Sequence, residues 1–177
     1  MRARRRNTGA VLAAAIGLTV TAGLTVIATG PAAGSDGHDR GWRHVSWTAS
    51  GPPLAIGAPS CDPTGHCVYP FTDSGTDAGD LQGSHAAAGG ATADAAGSSF
   101  GTTRISVFTG SVQGCGHGTM TMAVSAVTHP DGTTSERWHV RSGFGAGDLA
   151  SAGGSGWGTL AAGSTDAHFS GFVRCHT

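Results

Sequence analysis

The sequence predicts an all-β fold, a small antiparallel β-barrel crosslinked by disulfides, and three observations carry that prediction. Beyond the first 43 residues the chain shows period-two alternation broken by turn signals, and no convincing amphipathic helix. Glycine accounts for 31 of 177 residues, as expected where short strands bend into a closed sheet and backbones approach closely. Four cysteines stand in a chain that opens like an exported protein.

The opening segment comes first in the argument. Arg2, Arg4, Arg5 and Arg6 precede an apolar stretch from Ala10 to Ala28, and Val26-Ile27-Ala28 or Ala32-Ala33-Gly34 offers small residues for cleavage. This is the pattern of a secretory signal peptide over residues 1–28. An uncleaved anchor is the alternative, although Gly17, Thr19, Thr21, Gly23 and Thr25 dilute the run. Arg5-Arg6 is followed by Thr8-Gly9 and not by the hydrophobic pair usual in twin-arginine export. Removing residues 1–28 leaves six Arg, no Lys and eleven acids, a formal charge of −5. Such a chain is a poor partner for nucleic acid, whose backbone is held by clustered basic residues. No membrane contact is expected after cleavage. The expected location is secreted, extracellular or envelope-associated, and the abundance of Ala, Gly, Asp and Arg without Lys suggests a bacterial genome of high GC content.

Residues 29–43 read as a flexible linker, and residues 44–177 as the barrel domain. Strand signals open at His44-Val45-Ser46-Trp47. The turn-rich stretch Asp62-Pro63-Thr64-Gly65-His66 lies between Cys61 and Cys67, which are expected to bond and to contribute about 2 kcal/mol through loop-closure entropy. The metal alternative for Cys61, His66 and Cys67 lacks a second Cys-x-x-Cys arm. Further strands are expected at Leu81–Ala88 and Thr103–Val112. From Thr119 to Val127, Met120, Met122, Val124 and Ala126 alternate with small or polar residues. His129-Pro130-Asp131-Gly132 supplies a turn. Thr133–Arg141 then carries Glu136, Trp138 and Val140 on one face and Arg137, His139 and Arg141 on the other, completing a β-hairpin. Strands at Gly156–Ala162 and His168–Cys175 end the chain. A Cys115–Cys175 bond would tie the last strand to the middle of the sequence, contributing about 4 kcal/mol.

Five ordered segments carry a resemblance: Gly79-Asp80-Leu81-Gln82-Gly83-Ser84, Phe108-Thr109-Gly110-Ser111-Val112-Gln113-Gly114, Trp138 with Val140, Gly143-Phe144-Gly145-Ala146-Gly147-Asp148-Leu149, and Gly154-Ser155-Gly156. Over roughly residues 44–174 the chain resembles a family of uncharacterised bacterial domains of unknown function. Its members are small antiparallel barrels similar to allene oxide cyclase and the dirigent proteins. The resemblance implies a fold and no assigned activity. Phe144 and Ala146 stand where the family's Gly-Ser-Gly-Thr-Gly run carries hydroxyls, and Ser151 stands where a Gly is usual.

Gly79-Asp80-Leu81 recurs as Gly147-Asp148-Leu149, which suggests two equivalent approaches into the sheet. A phosphate cradle at Gly143–Gly147 is disfavoured, because neither a Lys nor a helix follows it. Nine His invite a metal proposal, but His117, His139 and His168 show no paired-ligand spacing, so no metal and no cofactor is expected. Glu136 is the weak catalytic candidate. Parity puts it on the Trp138 face, where burial would raise its pKa, but its nearness to the Asp131-Gly132 turn is expected to keep it wet. Trp47, Trp138, Phe144 and Trp157 are the candidates for lining a ligand cavity. Three functions follow: a binding module for a small apolar or polyol ligand, a structural or envelope-associated protein, and an isomerase or cyclase-like enzyme using Glu136. A cavity of several hundred Å3 ringed by Trp favours the first, and a filled barrel the second.

Overall fold

The computed structural model describes residues 41–93 and 100–175. The expected signal segment and most of the expected linker lie outside them. Eleven strands follow in chain order: β1 Trp42–Ser50, β2 Ala55–Ile56, β3 Ser60–Cys61, β4 Cys67–Gly79, β5 Leu81–Ala93, β6 Phe100–Val112, β7 Gly116–Thr128, β8 Thr134–Val140, β9 Ala146–Gly147, β10 Gly153–Leu160 and β11 Asp166–Arg174. The eight long ones run in the order β1-β11-β10-β8-β7-β6-β5-β4, and β4 pairs back to β1 through Trp47↔Gly79 to Ser50↔Thr76. Every pairing is antiparallel. The sheet therefore closes into an eight-stranded barrel, and closure pairs edges that would otherwise be exposed.

The expected strands are present with shifted ends: β1 starts at Trp42, β5 continues to Ala93, and β10 spans Gly153–Leu160. The sequence reading missed β4 altogether. Its pattern CVYPFTDSGTDAG places Asp73, Gly75 and Asp77 on the inward face where aliphatic residues would have announced a strand. The β7–β8 hairpin forms as its alternation requires. Met120, Met122, Val124, Ala126, Glu136, Trp138 and Val140 are all buried, and Arg137, His139 and Arg141 are exposed. In the turn, Asp131 Oδ1 accepts from Thr133 N at 2.9 Å, and the Thr133 hydroxyl bond holds the Asp131 carboxyl below its ordinary pKa.

One end of the barrel is sealed. Val45, Leu81, Val112, Leu149, Ala152 and Val173 pack there. The Cys115–Cys175 bond, with Cα atoms 5.5 Å apart, fastens the end of β11 to the β6–β7 turn. Cys61–Cys67 closes the short β3–β4 turn. The two Gly-Asp-Leu segments are the same device at two places. Asp80 N donates to Ser46 O at 2.9 Å and Asp80 Oδ2 accepts from Ser46 N at 2.7 Å. Asp148 repeats both bonds with His117, at 2.9 and 3.0 Å. Gly79 and Gly147 have φ of +127° and +64°, and a Cβ on either would meet the backbone of Ser46–Trp47 or His117–Gly118. Leu81 and Leu149 then drop into the sealed end.

Glycine serves a second purpose on β10 and β11. A Cβ at Gly156 or Gly171 would lie 2.7 or 2.6 Å from Trp138 Cζ2, and one at Gly158 would lie 2.5 Å from the Phe169 ring. These strands give up side chains so that large aromatic rings fill the middle of the barrel.

Candidate functional site

Above the aromatic layer the barrel is open, and a cavity of about 380 Å3 reaches the mouth formed by the chain after β1 and the β7–β8 and β10–β11 turns. Its two halves differ in chemistry. The half built by β1, β10 and β11 presents Trp47, Ala49, Leu160, Ala167 and Phe169. Trp47 stacks on Phe169 with ring centroids 4.8 Å apart, and meets Trp138 edge-on at 5.2 Å. Leu54, on the segment that leaves β1 and crosses to β4, lines the rim.

The other half carries charge. Inward positions of β4, β5, β6 and β8 supply Asp73 and Asp77, His85, Arg104 and Glu136, all with side chains no more than 16% exposed. Arg104 Nη2 donates to Glu136 Oε2 at 2.7 Å, and its Nε lies 3.9 Å from Asp73 Oδ2. His85 Nδ1 lies 3.0 Å from Asp77 Oδ2, and its Nε2 lies 3.9 Å from Asp73. The hydrogen bond with Asp77 raises the His85 pKa above its ordinary value, with partial burial opposing it and the fields of Asp77 and Asp73 adding to the rise. Arg104 thus bridges from one wall to the other, joining β4 to β8 across β5 and β7.

Of the candidate lining residues, Trp47 and Trp138 are in the cavity wall. Phe144 and Trp157 are not, being 59% and 56% exposed. Trp157 sits between Gly156 and Gly158, whose missing side chains are the inward ones, so its own ring points outward. Phe144 lies after β8 beneath the Arg141 guanidinium, 4.3 Å from its ring centroid. Glu136 overturns the expectation that the nearby turn keeps it wet. It is only 6% exposed, because Thr134 lies one inward step nearer the turn and is itself buried. The partner Arg104 compensates the burial. His117, His139 and His168 are exposed outer residues, the first and last bonded to Ser111 and Thr48.

The sequence reading did not single out Asp73, Asp77, His85 or Arg104. Strand parity counted forward from Leu81 and back from Phe108 would have found His85 and Arg104, since both fall on the face of those buried residues. The fold and site together define a closed, disulfide-crosslinked eight-stranded barrel, sealed at one end and holding a half-charged, half-aromatic cavity at the other. No protein-family model matches the chain, and no curated protein matches it. Two disulfides fit an oxidising, extracellular-type environment. Among the described residues no helix is long and apolar enough to cross a membrane.

Proposed function

We propose that this is an exported binding module whose open barrel end takes one small molecule with an apolar, ring-containing body and a polar end. The carrying observation is the 380 Å3 cavity, which falls within the usual range for small-ligand sites and is walled by Trp47, Trp138 and Phe169. A structural protein has no use for leaving that volume unfilled, since interiors otherwise pack densely. Export is supported by the Arg-led apolar segment and by the two disulfides.

The test uses the neutral dye N-phenyl-1-naphthylamine, which brightens in apolar sites. One equivalent is expected to bind saturably. Ala126→Phe, which fills the cavity from β7, is expected to weaken binding at least tenfold while the protein still unfolds cooperatively. Unsaturable brightening, or equal binding by the filled variant, contradicts the proposal.

A further inference from the structure

The cavity's charge inventory says what the polar end of an occupant must be. Three carboxyl groups, Asp73, Asp77 and Glu136, face one guanidinium and one imidazole. With the carboxyl groups ionised the site carries an excess of one negative charge when His85 is protonated, and of two when it is neutral. Arg104 is already engaged by Glu136 and faced by Asp73, and His85 by Asp77 and Asp73. An entering anion would therefore meet no uncommitted cation among these groups and would be repelled by the surplus carboxylate. An entering cation would complete the balance. The aromatic half adds to this, because Trp47 and Phe169 line it, and the negative face of an aromatic ring attracts a cation that comes within about 6 Å of its centroid.

From this juxtaposition of a carboxylate-rich half and an aromatic half, we infer that the cavity selects a small organic cation, an amine or quaternary ammonium on an aryl or alkyl body. The inference rests on the binding reading above and names the ligand class for that same site. The ammonium would lie toward Asp73, the least buried of the three carboxylates and the one shared between His85 and Arg104. The body would lie against Trp47 and Phe169.

Calorimetric titration with three near-isosteric probes tests it: 3-phenylpropylammonium, 3-phenylpropan-1-ol and 3-phenylpropanoate. The ammonium is expected to bind at least tenfold more tightly than the alcohol, and the carboxylate more weakly than the alcohol. Asp73→Asn should narrow the ammonium-to-alcohol affinity ratio at least severalfold, by weakening the ammonium far more than the alcohol. His85→Gln should act in the opposite sense at pH 6, tightening the ammonium severalfold, because it removes the imidazolium that faces Asp73 and Asp77 of β4 and leaves Arg104 of β6 in place. A variant that merely damaged the pocket would weaken all three probes. Equal affinities for ammonium and alcohol, or preference for the carboxylate, overturn the cation inference and leave the binding reading standing. Failure of all three probes also overturns the inference, and if the neutral dye fails as well, the binding reading falls with it.

Discussion

Single residues in the cavity wall carry both the chemistry and a stability cost that can be measured. Burying Glu136 is tolerable because Arg104 sits 2.7 Å away. Glu136→Ala leaves that guanidinium without its closest partner, and is expected to cost about 3 kcal/mol in urea unfolding, as loss of one member of a buried pair does. His85 gives a pH signature. Its folded pKa is raised above the ordinary 6.5, so protonated His85 favours the folded state. That contribution is fully present below pH 6.5 and is lost as the pH rises through the folded value. The melting temperature is therefore expected to fall across that window, and His85→Gln to remove this component of the fall. Glu136 was within reach of parity in the sequence, because it shares a face with Trp138 and Val140. The inward position of Arg104 was within the same reach from Phe108, but its pairing with Glu136 was not, because an ion pair between strands that are not neighbours follows only from the curvature of the closed sheet.

Strands announce themselves through what they bury, which explains which of them the sequence revealed. β7 buries Met120, Met122, Val124 and Ala126, and its alternation is plain. β4 turns Asp73 and Asp77 inward and includes Pro70 and Gly75, so it reads as a loop. The hidden strand supplies Asp73 and Asp77, two of the five charged residues in the cavity, and local pattern and global fold disagree at the candidate site for that reason. The repeated Gly-Asp-Leu was legible as a pair, but its reciprocal bonding to Ser46 and His117 required the register of β1 and β7. On β10 two glycines with different surroundings give a matched test. Gly156→Ala drives a methyl into the Ser170 backbone and Trp138, and is expected to destabilise by at least about 1–3 kcal/mol. Gly153→Ala meets nothing within 4 Å and is expected to stay within about 0.5 kcal/mol of the parent. Equal effects in thermal unfolding would contradict the packing role assigned to Gly156.

Across the whole molecule, a modest set of aliphatic residues is concentrated at one end, leaving the other end free to hold charge and open space. The bond between Cys115 and Cys175, which ties the end of β11 to the β6–β7 turn, spans 60 residues, whereas Cys61–Cys67 spans six. Replacing the first pair with Ser is expected to cost about 4 kcal/mol and the second about 2 kcal/mol, read from denaturant midpoints. Of the three connectivities open to four cysteines, turn content pointed to Cys61–Cys67, which left Cys115 to pair with Cys175. The cavity was not, because a pattern of inward residues does not tell whether their volumes fill the cylinder. The most direct measurement of a sealed end beneath an open binding end is methyl NMR of protein labelled at methionine. Met122 lines the cavity, and Met120, two residues earlier on the same face, is packed in the core and does not line it. Titration with 3-phenylpropylammonium is predicted to shift the Met122 methyl saturably while the Met120 methyl stays in place. A stationary Met122, or a shift led by Met120, would contradict the account.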